Sequence, residues 1–317
     1  MSSGKPLEKK DIPFKYKLEY SVLLFVRFLA NALPAHISEW IGRRIGDLSW
    51  YFFPYRFQVM IYNMDVVFPE KSYEEKLHLA HQVYRFFGEM AVQFFSQNKK
   101  KNKKRILSAE IRGREYLDKA LGKGKGVILT ALHFGNWEYV ASWLNMSGIT
   151  TTGIYKPMKN PLSDDFFLKL RLDMGDAMHM ISTRQGMKAY EKALENNHVL
   201  AVAVDQNAHE KGVKIPFFNR MTSIAKGTAV LKFRTGAEIL GVAPLYQKGK
   251  FCIHFFPVND ESIPVLNEET IGRTMKTVMK TFEPWIVKYP RQWMWFHKLW
   301  GKPDKVYKRT VKEILRY

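Results

Sequence analysis

Val127-Ile128-Leu129-Thr130 is a short apolar run, and Ala131-Leu132-His133-Phe134-Gly135-Asn136-Trp137-Glu138 follows it directly. An apolar run of this length, closed by a Gly-Asn pair, predicts a buried strand that ends in a turn. Within the turn stand a histidine and a carboxylate five positions apart, the residue types that perform general-base chemistry. On one continuous helix at about 3.6 residues per turn they would lie roughly 140° apart and would not meet. A working pair therefore requires a strand ending at Leu132, a turn at Gly135-Asn136 and a helix starting near Trp137. Glu138 is then expected to fold back onto the imidazole and fix its tautomer.

The pattern around this segment extends the reading. After residue 120, short apolar runs alternate with amphipathic stretches, which is the signature of an α/β layer. Strands are predicted at 127–130, 150–155, 178–181, 199–204, 212–216, 239–246 and 251–258, and helices at 161–174, 186–197, 223–235 and 268–288. The first hundred residues read instead as helices. Ile37, Trp40, Ile41, Ile45 and Leu48 recur at three-and-four spacing until Phe53-Pro54, a short helix precedes Pro69, and a longer one covers 73–97. Lys99-Lys100-Lys101-Asn102-Lys103-Lys104-Arg105 is the sharpest charge block, to be read as a solvated loop or as a contact for anionic lipid or an acidic carrier protein.

A chain of 317 residues with 46% hydrophobic content can bury a sizeable core, which excludes a disordered chain. The formal net charge of +20 calls for an anionic partner, and cations interleaved with Trp, Phe and Tyr suit a lipid headgroup region. No zinc-ligand spacing, basic zipper or RNA-binding aromatic motif supports nucleic acid. The single cysteine, Cys252, rules out an intrachain disulfide framework and fits a reducing compartment. The apolar stretch 18–33 is interrupted by Glu19 and Arg27 and preceded by Lys5, Lys9, Lys10, Lys15 and Lys17. It falls short of the roughly 20 apolar residues of a spanning helix, so an anchor lying in the cytoplasmic face of a membrane is expected. Residues 1–55 are thus read as a helical membrane-associating segment and 56–317 as one compact body.

Several familiar motifs fail on context. Gly122-Lys123-Gly124-Lys125-Gly126 precedes a strand, whereas a phosphate-binding glycine loop follows one. No Gly-x-Ser-x-Gly elbow or His-Glu-x-x-His helix occurs. His133, Asp205 and His209 have metal-ligand chemistry, but Asp205-Gln206-Asn207 also reads as a turn, and no metal is expected. What unites the strand ends is a set of polar residues: His133 and Glu138, Lys156 and Lys159, Arg184, and Asp205-Gln206. In an open α/β sheet, ligands bind beyond the carboxyl ends of the strands, where these would converge.

Taken together, His133-Phe134-Gly135-Asn136-Trp137-Glu138, Tyr155-Lys156-Pro157 with Asn160, Arg184-Gln185-Gly186, Asp205-Gln206 with Gly212 and Phe217-Phe218, and Pro290-Arg291-Gln292-Trp293-Met294-Trp295-Phe296-His297-Lys298 resemble the lipid A late acyltransferases. These are the lauroyl and myristoyl transferases of the lysophospholipid acyltransferase superfamily, and the likeness runs from about Arg56 to Lys298. The wider superfamily usually carries His-x4-Asp and a Phe-Pro-Glu-Gly-Thr-Arg block; this chain has Glu138 and lacks the block. It also departs from many relatives at Lys156, commonly Arg, and Trp293, often Tyr.

The resemblance implies an α/β fold of the glycerol-3-phosphate-acyltransferase type, an αβα sandwich with a mixed central sheet. It implies transfer of a fatty acyl chain from acyl carrier protein, as co-substrate, to a hydroxyl of a lipid A precursor at the cytoplasmic face of the inner membrane, without a further cofactor. His133 would be the base and Glu138 its support. Arg184 and the Gly135-Asn136 turn would stabilise the oxyanion, Lys156 and Lys159 would meet phosphate, and Asp205 would orient. The aromatic N-terminal helices would form the acyl groove. Two alternatives stand beside this reading: an acyl-CoA-dependent glycolipid or lysophospholipid acyltransferase, and an inactive membrane-surface binding protein.

Overall fold

The computed structural model describes residues 12–260, 265–303 and 306–308. The N-terminal cations Lys5, Lys9 and Lys10 lie outside the described residues. Seven strands form one mixed sheet in the order β1 (Glu110–Arg112), β9 (Lys250–Pro257), β8 (Glu238–Gln247), β2 (Val127–Ala131), β5 (Val199–Ala203), β3 (Thr151–Tyr155) and β4 (Met178–Ser182). All neighbouring pairs are parallel except β8 and β9, which form an antiparallel hairpin. β2 lies inside the sheet between two parallel partners, which is why its sequence is a continuous apolar run rather than an alternation.

Successive residues of each strand feed opposite faces. Ile128, Leu200 and Ile239 join the larger apolar cluster, whereas Val127, Leu129, Val199 and Leu240 join a second one. The first face is covered by residues of α3 (Phe57–Val67), α4 (Tyr73–Phe95), α9 (Met187–Glu195), α10 (Gly227–Thr235) and α11 (Glu268–Lys288). The second is covered by α6 (Arg114–Leu121) and α7 (Trp137–Met146). Helices α1 (Phe14–Ala32) and α2 (Ala35–Phe52) precede this body. α2 lies against α4 at very short range: a Cβ on Gly42, Gly46 or Gly88 would come within 2.6 Å of backbone atoms of the facing helix.

The predicted strands are all present, within about two residues of their expected ends. Two strands were not expected. β1 is only Glu-Ile-Arg and carries no apolar run. β7 (Arg220–Ile224) pairs antiparallel with β6 (Val213–Phe217) in a separate ribbon. Its turn residues Phe218 and Asn219 both have positive φ, as a two-residue hairpin of right-handed twist requires. The helix expected from residue 223 therefore starts later, at Gly227. The basic block is also no loop: residues Lys100–Leu107 form α5, held at one end by Asn102, which donates to the Ser96 carbonyl at 2.8 Å.

Candidate active site

Parallel register builds the site. β2 and β5 pair so that Ala131 stands opposite Ala203. Two residues beyond each lie His133 and Asp205, so side chains 72 positions apart in sequence leave adjacent strand ends together. His133 Nδ1 is 2.7 Å from Asp205 Oδ1, and the His133 backbone N–H donates to Oδ2 at 2.9 Å. Asp205 is buried, and the indole Nε1–H of Trp293 also donates to its Oδ2, at 3.0 Å. Nδ1 of His133 is thereby engaged, and Nε2 stays outside that pair.

The electrostatics follow from this arrangement. Burial opposes charge on His133, but the Asp205 carboxylate, its hydrogen bond and the nearby Glu138 outweigh that and raise the imidazole pKa above its ordinary value. Burial likewise works against ionised Asp205, yet His133, His297 and Trp293 hold it below the usual carboxylate range.

Glu138 does something other than expected. Both of its oxygens are engaged by Arg171 of α8 (Pro161–Leu172), from Nε at 3.0 Å and Nη2 at 2.7 Å. Such a two-point grip orients both groups. Burial disfavours charge on Arg171, and Glu138 more than offsets it, so the guanidinium is held ionised. The carboxylate that fixes the imidazole is thus Asp205, because β5 delivers it beside β2, whereas Glu138 stands in the first turn of α7 and faces α8.

The turn between His133 and α7 is clamped from outside. The Gly135 N–H donates to the Gln292 carbonyl at 2.7 Å, and Met294 N–H donates to the His133 carbonyl at 2.9 Å. Gly135 has φ +57°, and a Cβ there would sit 1.5 Å from the Pro244 oxygen, so glycine is required. Asn136 is fully buried; its Oδ1 caps α7 by accepting from Tyr139 N–H, and its Nδ2 donates to Gln93 Oε1 at 2.9 Å. The Gly135 N–H and the Asn136 side chain are therefore already engaged and do not serve an oxyanion.

His133, Glu138 and Arg171 stand at one cavity of about 450 Å³. Its floor is the face of the sheet carrying Leu129 and Ala131 of β2, Ala201 and Ala203 of β5, and Gly153 of β3. These positions are neighbours in register, and the three alanines and Gly153 leave the space. Helices α7 and α8 wall it with Val140, Leu144, Phe167 and Leu168, Phe94 of α4 joins them, and Met178 and Met180 of β4 also line it. Lys156 and Met158, both exposed, belong to the same lining. The apolar groove is consequently made by the sheet with α7 and α8, not by the N-terminal helices. α1 contributes from behind: its Tyr20 and Leu23 pack on the Phe94, Phe166 and Leu170 cluster. Lys159 and Arg184 are exposed and do not line the cavity.

Sequence reading overlooked Arg171, Trp293 and Gln292 as site residues. Trp293 and Gln292 stood in the closing motif with no role attached, and Arg171 carried no signal, since only the packing of α8 on α7 brings it to Glu138.

An imidazole oriented by a buried carboxylate, at the head of an apolar cavity, meets the needs of acyl transfer, as it does those of other acyl chemistries. Comparison with known proteins narrows this: the chain belongs to the bacterial lipid A biosynthesis acyltransferase family, whose description matches residues 8–302. It is 26% identical over 283 residues to the lipid A biosynthesis lauroyltransferase of Escherichia coli K12, covering 86% of this chain and 88% of that protein. It is 25% identical over 291 residues to a lipid A biosynthesis acyltransferase of Haemophilus influenzae, covering 88% and 84%. A phosphatidylinositol mannoside acyltransferase of Mycobacterium tuberculosis is 24% identical over 198 residues, which is 62% of this chain and 61% of that relative.

Proposed function

We propose that this acyltransferase moves a fatty acyl chain from an acyl-carrier-protein thioester to a hydroxyl of a lipid A precursor, with His133 as general base. The observation that carries the reading is the His133–Asp205 pair at the head of the apolar cavity. A neutral hydroxyl is a poor nucleophile. His133 Nε2 takes its proton as the oxygen attacks the thioester carbonyl carbon, and Asp205 stabilises the imidazolium that forms. The tetrahedral intermediate then expels the thiolate, which recovers the proton from His133, so the C–O bond replaces the C–S bond and the base is regenerated.

General-base help supplies about 10²–10⁴-fold, so the oxyanion also needs donors. Arg171, held charged by Glu138 at the cavity wall, and the first N–H groups of α7, which lack intrahelical partners, take that part in place of Arg184 and Gly135. Glu138 supports the imidazolium through space and positions Arg171. Lys156 and Lys159 meet phosphate of the glycolipid or of the carrier's prosthetic arm.

The N-terminal helices lie in the plane of the inner membrane's cytoplasmic face. α1 exposes Phe14, Leu18, Val22, Phe25 and Leu29 along one stripe, and α2 exposes Trp40, Ile45, Leu48 and Phe52. Lys15 and Lys17 flank the first stripe as headgroup partners. Among the described residues, no helix is long and apolar enough to cross a membrane.

The deciding experiment gives purified protein matched acyl-carrier-protein and CoA thioesters with a lipid A precursor and follows the glycolipid by mass spectrometry. Acylated glycolipid from the carrier thioester, absent with His133→Ala, is expected. Product from CoA alone would reassign the donor, and turnover by His133→Ala would remove the base.

A further inference from the structure

His297 closes the aromatic motif of the C-terminal segment, and none of the chemistry above uses it. Its ring lies 5.0 Å from that of His133, at 53° to it, while Trp137 meets His133 edge-on at 5.1 Å. The catalytic imidazole is therefore held between an indole and a second imidazole. The backbone around His297 is pinned: Asn63 Nδ2 donates to the Trp295 and His297 carbonyls, each at 2.8 Å, and Arg56 donates to the Phe296 carbonyl at 3.0 Å. The His297 Nε2 atom is sealed from solvent and has no hydrogen-bond partner among the described residues. A buried polar atom left unmet is unusual and calls for a reason.

We propose that His297 is a positioning residue for His133: a permanently uncharged second imidazole that packs the base against Trp137 and leaves His133 as the one acceptor of the substrate proton. The proposal rests on His133 being the base.

A proton on His297 Nε2 would have neither solvent nor an acceptor to receive its hydrogen bond. The charged groups facing the ring deepen the preference. Asp205 lies near both imidazoles, but its hydrogen bond goes to Nδ1 of His133, so the carboxylate stabilises charge there first. Arg56, from the segment before α3, and His133 itself repel a charge on His297. Burial adds to this, and the His297 pKa is held below its ordinary value. Two imidazoles at this separation, only one of which is paired with a carboxylate, ensure that the proton taken from a hydroxyl stays where the leaving thiolate can reclaim it.

The experiment measures kcat/KM against pH for wild type, His297→Gln and His297→Lys, beside a His133→Ala control. Gln puts a neutral polar amide in place of the ring and should leave the acid limb in place while lowering kcat severalfold through looser packing. Lys sets a cation beside the base, disfavours the imidazolium, and should move the acid limb down by about one pH unit or more. An acid limb for His297→Lys that coincides with the wild-type limb in folded protein overturns the proposal. If His297→Lys does not fold, NMR titration of His133 in wild type decides: a His297 that gains charge before His133 overturns it equally. An active His133→Ala would instead sink the base assignment, so the two failures are distinguishable.

Discussion

Two regions of this molecule are equally rich in aromatic side chains and use them in opposite ways. Around the His133 turn, Phe134, Trp293 and Trp295 are at most 2% exposed, and both indole N–H groups are satisfied, by Asp205 and by the Pro290 carbonyl. Along α1 and α2, Phe14, Phe25, Trp40 and Phe52 are between 53% and 80% exposed. The first set gains stability by leaving water and, through one hydrogen bond, aims a carboxylate. The second is left facing outward, where apolar rings beside lysines suit a lipid interface. Composition alone does not separate these uses; the hydrogen-bond partners do.

The comparison breaks most sharply at His133. Replacing it with Ala should reduce acyl transfer by about 10²–10⁴-fold while leaving vesicle association unchanged. Equal transfer by the variant in a thioester-release assay would leave the buried cluster without a chemical purpose.

Asp205→Asn should have the next largest effect, and its sign is fixed by the pair. Asp205 raises the His133 pKa, so removing the charge lowers it, and the acid limb of kcat/KM should move to lower pH with kcat reduced. Stability carries the same signature. His133, raised in the folded state, contributes stability that is present below the ordinary imidazole value and lost as pH rises through the folded value. Asp205, depressed, contributes stability that is present above the ordinary carboxylate value and lost as pH falls through the folded value. The wild-type pair thus stabilises most between those two ranges, and denaturation midpoints across pH should show Asp205→Asn flattening that maximum.

Trp293→Phe tests the buried aromatics more gently. The ring stays, and Asp205 Oδ2 loses one of its two donors. A loss of about 1–3 kcal/mol in stability is expected, since a buried carboxylate oxygen deprived of a donor costs on that scale, and because the indole helps hold the Asp205 pKa down, the acid-side loss of stability should begin at higher pH than in wild type. A variant as stable as wild type would mean that the indole merely fills space.

Most of the frame was legible because its signals are local. A continuous apolar run can only be a buried strand or helix, and the Gly-Asn turn after β2 chose between them. The helices α4 and α11 were expected from their apolar and polar patterning, and the structure starts each at a pair of capping residues, Ser72 with Glu75 and Asn267 with Thr270. The site was legible only in part. His133 and Asp205 were both singled out at strand ends, but their pairing depends on β5 lying next to β2, an order that sequence spacing does not encode. The nearer carboxylate, Glu138, looked like the partner because it was close in sequence. Its true neighbour, Arg171, reaches it through the packing of two helices. β1 and β7 escaped notice for the reverse reason: each is stabilised by its pairing and not by an apolar run of its own.

The smallest effect on the folded enzyme is expected at the outward-facing aromatics, and there it is the contrast that informs. Phe25→Ser and Trp40→Ser remove rings that are 60% and 53% exposed, so little packing is lost, and thermal stability should stay within about 0.5 kcal/mol of wild type. Turnover of detergent-dispersed substrates should be similarly preserved, because the cavity wall is made by α4, α7, α8 and the sheet. Sedimentation with anionic vesicles should fall, since each ring contributes apolar area that only a membrane would cover. If these substitutions instead unfolded the protein, the two aromatic sets would be doing the same work, and α1 and α2 would belong to the core. If they changed neither stability nor vesicle binding, the outward stripe would have to meet the membrane through its remaining aliphatic residues, Leu18, Val22, Ile45 and Leu48, which the same sedimentation assay on their serine variants resolves.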